Sequence, residues 1–270
     1  MLLEARADAA EALSFLGYRG QQLDSLLQER LDGALELCAD LAPQGAARSF
    51  EIAENVGAFV ALAGTSLVLE GVDIARHLQG AREVSIMVST LGLRSEQLLV
   101  RSLARSTTDG LLLDACASSL AERAAGALFG VVAKRARERN LIAGPRFSPG
   151  YGDFPLSVQG ALLSAVGADK MLGVSVTRAS LLVPPKSVTA VCGLYEPGVP
   201  LPRDPAKVAA EEAEILANTG ENPVHAAAAA GAEGAAAPSV APAQLRRCET
   251  CAMARTCLLR AQGRTCYGSN

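Results

Sequence analysis

The chain has 270 residues, half of them hydrophobic, which is enough for a core of its own and room for one large domain or two small ones. A net charge of −3 and a pI near 5.6 give no basic excess of the kind that binds nucleic-acid phosphates. The start, "MLLEARADAAEALSFLGYRG", carries acids where a signal peptide carries lysines, and no run of about 18 uncharged apolar residues occurs, so a cytoplasmic protein without a membrane span is expected.

Residues 4–16 and 21–41 place leucines at helical spacing on either side of the turn-forming "GYRG", which predicts a helical hairpin over 4–41. "RSFEIAE" and "FVALAGTSLVLEG" read as extended, and "DIARHLQGA" as a short helix with Asp73 at its cap. "REVSIMVSTLG" is rich in β-branched residues and reads as a buried strand ending at Gly92, with "SEQLLVRSLARS" a helix after it. From Thr108 to about Asn140, helix formers run between a Thr-Asp start and a Lys/Arg-rich end that suits the helix dipole; this is expected to be the longest helix. "LSVQGALLSAVGA" is then a helix, "MLGVSVTRASLLV" a strand, and "SVTAVCGLYE" a second strand beyond a Pro-Pro turn, an antiparallel pair. Helices and strands without regular βαβ alternation make the fold class α+β.

Beyond Pro197 the composition shifts. Residues 204–244 hold one helical stretch, "DPAKVAAEEAEILANTG", and an Ala/Gly/Pro-rich segment read as a flexible linker over about 219–244. The linker leads to a Cys-rich tail over 245–270.

The seven cysteines divide in the same way. Cys38, Cys116 and Cys192 sit among apolar residues and read as inert core thiols. Cys248, Cys251, Cys257 and Cys266 have the spacing C-x2-C-x5-C-x8-C. Four thiolates without histidine suit an iron–sulfur cluster first and structural zinc second, with a metal-free tail as the remaining reading. Arg246, Arg247, Arg255, Arg260 and Arg264 surround them, suited to lowering thiol pKa values, offsetting an anionic cluster or docking an acidic electron donor, or simply forming a solvated basic tail. His77, on a short apolar helix, reads as a packing or capping residue.

One stretch carries ligand chemistry: "RFSPGYGDFPLS", residues 146–157. Pro149-Gly150 marks a turn where the main chain can be approached closely. Arg146 suits a carboxylate gripped through two parallel hydrogen bonds, and Tyr151 offers an aromatic face to a cation. A zwitterion such as an amino acid or S-adenosylmethionine fits this set. On residue types alone, an ordinary loop whose arginine caps the preceding helix fits as well.

"RFSPGYGDFP", with the later "SVTRASLLVPPKSVTAVCG", resembles the reactivation domain of cobalamin-dependent methionine synthase, whose signature is an Arg-x-x-x-Gly-Tyr loop followed by a Thr and Pro-x-x-Ser-Val strand pair. "TLG", "LDACASSLAERAAGAL" and "FLGYRGQQLD" resemble free-standing proteins of that family, so the likeness extends over about residues 1–200 and places an activation-like domain at 1–203. The resemblance implies a twisted antiparallel sheet with flanking helices. It also implies S-adenosylmethionine at the loop, with Arg146 on the methionyl carboxylate and Ser148, Gly150 and Tyr151 around the ligand. The family's carboxylate on the long helix falls opposite Gly126, and Glu122, one turn earlier on the same face, is the candidate for the ligand's amino group. A family tyrosine falls opposite Leu201, with Tyr195 close by.

The function implied is reductive methylation of inactive cob(II)alamin. Nothing in these 270 residues resembles the family's zinc barrel or corrinoid-carrying module, so a component without a complete active site of its own is expected. The resemblance implies a cobalamin carried by a partner, a methionine synthase subunit or another corrinoid protein, with a flavodoxin or ferredoxin expected as donor. The alternative is a non-catalytic adaptor or electron-transfer module that docks on a corrinoid protein and uses its cysteine tail for iron–sulfur or zinc.

Overall fold

A computed structural model describes residues 1–18 and 20–203. Two helices open the chain, α1 (Ala9–Phe15) and α2 (Ser25–Ala39), each started by an aspartate, Asp8 or Asp24, that accepts a main-chain N–H of the first turn. Strands β1 (Gln44–Asn55), β2 (Phe59–Leu62) and β3 (Val68–Glu70) follow, then α3 (Val72–His77) and the central strand β4 (Glu83–Thr90). Next come α4 (Leu93–Arg105) and the 32-residue α5 (Thr107–Glu138), the longest helix. A short strand β5 (Ile142–Ala143) precedes the Arg146–Ser157 stretch. After a 3-10 turn at Leu156–Val158 come α6 (Gln159–Val166), α7 (Ala168–Leu172), β6 (Ser175–Val176), β7 (Leu182–Val183) and β8 (Ser187–Tyr195).

Six strands form one antiparallel sheet in the order β3-β2-β1-β4-β8-β5. β1 pairs with β4 over Gln44–Glu51 and with β2 from Ile52 to Asn55, and an irregularity between Ile52 and Glu54 bends the strand where it changes partner. All eight residues of β4 are buried because both faces of the sheet are covered. Val84, Ile86 and Val88 belong to the core on the α3 and α6 side, while Met87 joins the core beneath α1, α2 and α5. The α+β class and the antiparallel sheet flanked by helices stand as expected. These elements belong to a compact unit, Met1–Asp204.

Three details differ from the sequence expectation. α1 and α2 are helices, but each packs on α5 rather than forming a self-contained hairpin. "MLGVSVTRASLLV" is not one strand: Gly173, in the left-handed region at φ 66°, ends α7 after Leu172, which leaves only β6 and β7 to pair with each other. β8 therefore finds its partners in β4 and β5 and not in the preceding segment. Asp73 is not the cap of α3; Gly71 is, and the capping carboxylate comes from Asp153, some 80 residues on.

α5 is long and apolar enough to cross a membrane by length and composition, and more than half of its apolar stretch is buried. Its role in the fold is that of a core helix. Ala115, Ala117, Ala121, Ala124 and Ala125 give it a small-residue surface that lets the sheet and the N-terminal helices approach closely.

Candidate ligand cleft and turn

The stretch after β5 continues along the edge of β8. Gly144 donates its N–H to the Gly193 carbonyl at 2.8 Å, and Phe147 exchanges main-chain hydrogen bonds with Val191 at 2.8 and 2.9 Å. Glycine is needed at 144 and 193 because the Tyr195 ring lies across both; a Cβ there would stand 2.7 and 2.6 Å from ring atoms. The Tyr195 hydroxyl donates to the His77 carbonyl at 2.6 Å. Burial pushes that phenol upward, and it is committed to the core rather than available as the tyrosine that is missing at Leu201.

The turn itself is closed by its own main chain. Tyr151 donates its N–H to the Ser148 carbonyl at 3.0 Å, and Gly150 donates to Phe154 at 2.8 Å. Gly150 holds φ 96°, a left-handed value that glycine adopts freely. Beneath the turn, Phe147 packs against His77 (ring centroids 4.7 Å apart) and Phe154, and receives the Tyr151 ring edge-on at 5.6 Å. His77 is buried with Nε2 3.0 Å from the Pro145 carbonyl, so it packs and fastens the chain as expected. Tyr151 keeps 44% of its surface exposed.

Asp153 ties this turn to α3. Its carboxylate accepts the N–H groups of Val72 at 2.7 Å and Asp73 at 2.9 Å, while the Asp73 carboxylate accepts the Asp153 N–H at 3.3 Å. Gly71 and Gly152 are the close-approach points, since a Cβ on either would meet the opposing aspartate. Nothing in the sequence announces this role for Asp153. The "GYGD" glycine preceding it was the available signal, but its partner lies too far away in the chain to be inferred.

Arg146 points the other way, toward α5, and meets Glu122 at 3.3 Å. The two stand on a cleft of about 530 Å³ lined also by Arg6, Glu11, Arg123 and Gly126. Arg123 is held between two carboxylates, Asp8 at 2.8 Å and Glu11 at 3.4 Å, and Ser119 donates to Glu11 at 2.6 Å. Arg146, by contrast, spends one contact of a five-donor guanidinium on Glu122. Gly126 leaves the cleft floor bare, with nothing within 4 Å of where its Cβ would be. Of the candidate residues, the fold brings Arg146 and Glu122 onto one cleft, whereas Ser148, Gly150 and Tyr151 form the adjoining turn and do not line it.

No protein-family model matches the chain, and no curated protein does. Among solved structures it is similar to the MetH reactivation domain bound to AdoHcy, with a TM-score of 0.49 and 15% identity over 75% of this chain and 80% of that one.

Cys38, Cys116 and Cys192 are buried and unpaired, and burial raises their thiols to about 12, 11 and 12, which makes them poor nucleophiles at neutral pH. Among the described residues, no group of three or more His, Cys, Asp or Glu is placed to hold a metal ion. Cys248, Cys251, Cys257 and Cys266, their neighbouring arginines and the linker all lie outside the described residues.

Proposed function

We propose that the chain binds S-adenosylmethionine at the Arg146–Glu122 cleft and serves as a free-standing reactivation component for a methionine synthase whose cobalamin is carried by a separate polypeptide. The carrying observation is the half-open Arg146–Glu122 pair at the mouth of a cleft of ligand size. An exposed ion pair of this kind is worth about 0–1 kcal/mol. A hydrogen bond to a charged group is worth about 1.5–3 kcal/mol, so the resting pair is weak enough for the two charged groups of an amino-acid zwitterion to replace it. Its carboxylate takes Arg146 in the bidentate geometry that guanidinium favours, and its ammonium takes Glu122.

Bound S-adenosylmethionine supplies a methyl group on a sulfonium. The residues of this chain orient the ligand and shield it from water. The turn at Ser148–Tyr151, which adjoins the cleft without lining it, is hydrogen-bonded internally and packed on Phe147, so it offers a firm border to a ligand that extends beyond the cleft. The exposed Tyr151 ring supplies an aromatic face for a cationic centre.

Calorimetric titration of the full chain with S-adenosylmethionine tests this reading. We expect one site, lost or weakened at least tenfold in Arg146→Ala and weakened less in Glu122→Gln. Failure of the unmodified protein to bind, alone or with a corrinoid protein present, overturns it.

A further inference from the structure

A second cleft, of about 520 Å³, opens on the other side of the N-terminal helices between α2 and α4, with α5 as its floor. α2 and α4 each pack on α5. Three helices thus line an open slot.

The slot's walls have the pattern of helix contact surfaces. From α2 come Leu26, Arg30, Gly33 and Leu37, spaced four, three and four residues apart. From α4 come Leu98, Arg101 and Arg105, spaced three and four. Each series is one continuous stripe along its helix, the spacing by which one helix reads another. Leu26 to Leu37 spans about 16 Å at 1.5 Å per residue, roughly three turns of a guest helix. Leu26 is 58% exposed and Leu37 40%, a wall of large apolar side chains left facing solvent. Gly33 has nothing within 4 Å of its Cβ position, so the middle of the wall is hollow.

Charge chooses the occupant. Arg30 is held by Asp109 at 3.5 Å, and Asp109 Oδ1 is buried there without a hydrogen-bond donor. Arg101 and Arg105, one turn apart on α4, have no ion pair among the described residues. Of the two carboxylates lining the slot, Asp109 is paired with Arg30, which leaves Glu29 opposite them. Two like charges at i and i+4 destabilise their own helix unless something anionic lies beside them.

We infer that the α2–α4 slot binds an amphipathic helix of a partner protein, laying its apolar stripe on Leu26, Leu37 and Leu98 and its acidic flank against Arg101 and Arg105. This is the helix-in-groove mode, in which apolar anchors supply affinity and flanking charges fix orientation.

The test is selection of 16-residue peptides from a displayed library biased toward helix, with the full chain as bait. It is followed by fluorescence anisotropy of the enriched sequences at low and high salt. We expect enriched peptides with apolar residues at i, i+3, i+4 and i+7 beside Asp or Glu, and salt-sensitive binding. Arg101→Glu with Arg105→Glu is expected to weaken binding at least tenfold. Gly33→Leu fills an open space without touching the core and is expected to weaken it similarly, with circular dichroism and melting unchanged. No enrichment, enrichment of basic peptides, or peptides that bind the variants equally well overturns the inference. Self-association of the chain that Gly33→Leu abolishes also overturns it, because the slot then belongs to a second copy.

Discussion

Gly126 sits in the middle of α5, where glycine costs about 0.5–1 kcal/mol relative to alanine. Its Cβ position is open, so Gly126→Ala is expected to raise the unfolding free energy by that amount, read from urea denaturation, and Gly126→Glu to place a further carboxylate on the cleft floor. If the cleft takes a ligand ammonium, Gly126→Glu tightens S-adenosylmethionine binding by about tenfold or more, the worth of one charged hydrogen bond, measured by the same calorimetric titration. Gly193 behaves in the opposite way. A Cβ there strikes the Tyr195 ring, and Gly193→Ala is expected to cost about 1–3 kcal/mol in urea denaturation. That Glu122 and Arg146 stand together was reachable in the sequence only through the family resemblance, which named both residues for one ligand. The role of Tyr195 was not, because its hydroxyl is satisfied by a carbonyl 118 residues away.

At the scale of elements, α5 organises the unit, and its existence, length and basic last turn, with Arg135 and Arg137, were readable in the chain, whereas its start was not: the N-cap is Ser106, which accepts the Asp109 N–H, two residues before the Thr108 start that the sequence suggests. What escaped was partnership. A leucine stripe announces that α1 or α2 is amphipathic without saying which surface it meets, and both meet α5 because its alanine-rich faces admit close packing. In the same way β-branched residues announced "GVSVTRASLLV" as extended, but the left-handed Gly173 and Ser180 break it into two two-residue strands. The α3 cap is the sharpest instance. Asp153→Ala removes both acceptors at the start of α3 and is expected to cost about 1 kcal/mol, within the 0.5–2 kcal/mol range of lost caps, read from the thermal midpoint.

For the whole molecule, the three core thiols set an alkaline limit. An ordinary thiol ionises near 9, whereas burial holds Cys38 and Cys192 at about 12 and Cys116 at about 11. The unfolded chain therefore gives up these protons first. Stability is fully present below about pH 8.5 and declines as pH rises toward the folded values, by up to about 1.4 kcal/mol per pH unit for each thiol. Urea midpoints measured from pH 7.5 to 10.5 are expected to fall accordingly, and Cys192→Ala to flatten the slope. The reciprocal bonds between Asp153 and the start of α3 have one more consequence. The amides of Val72 and Asp73 are latched by a carboxylate from the turn that begins at Arg146, so their deuterium uptake acts as a remote gauge of that turn: a ligand that steadies the turn slows exchange at two amides it never touches.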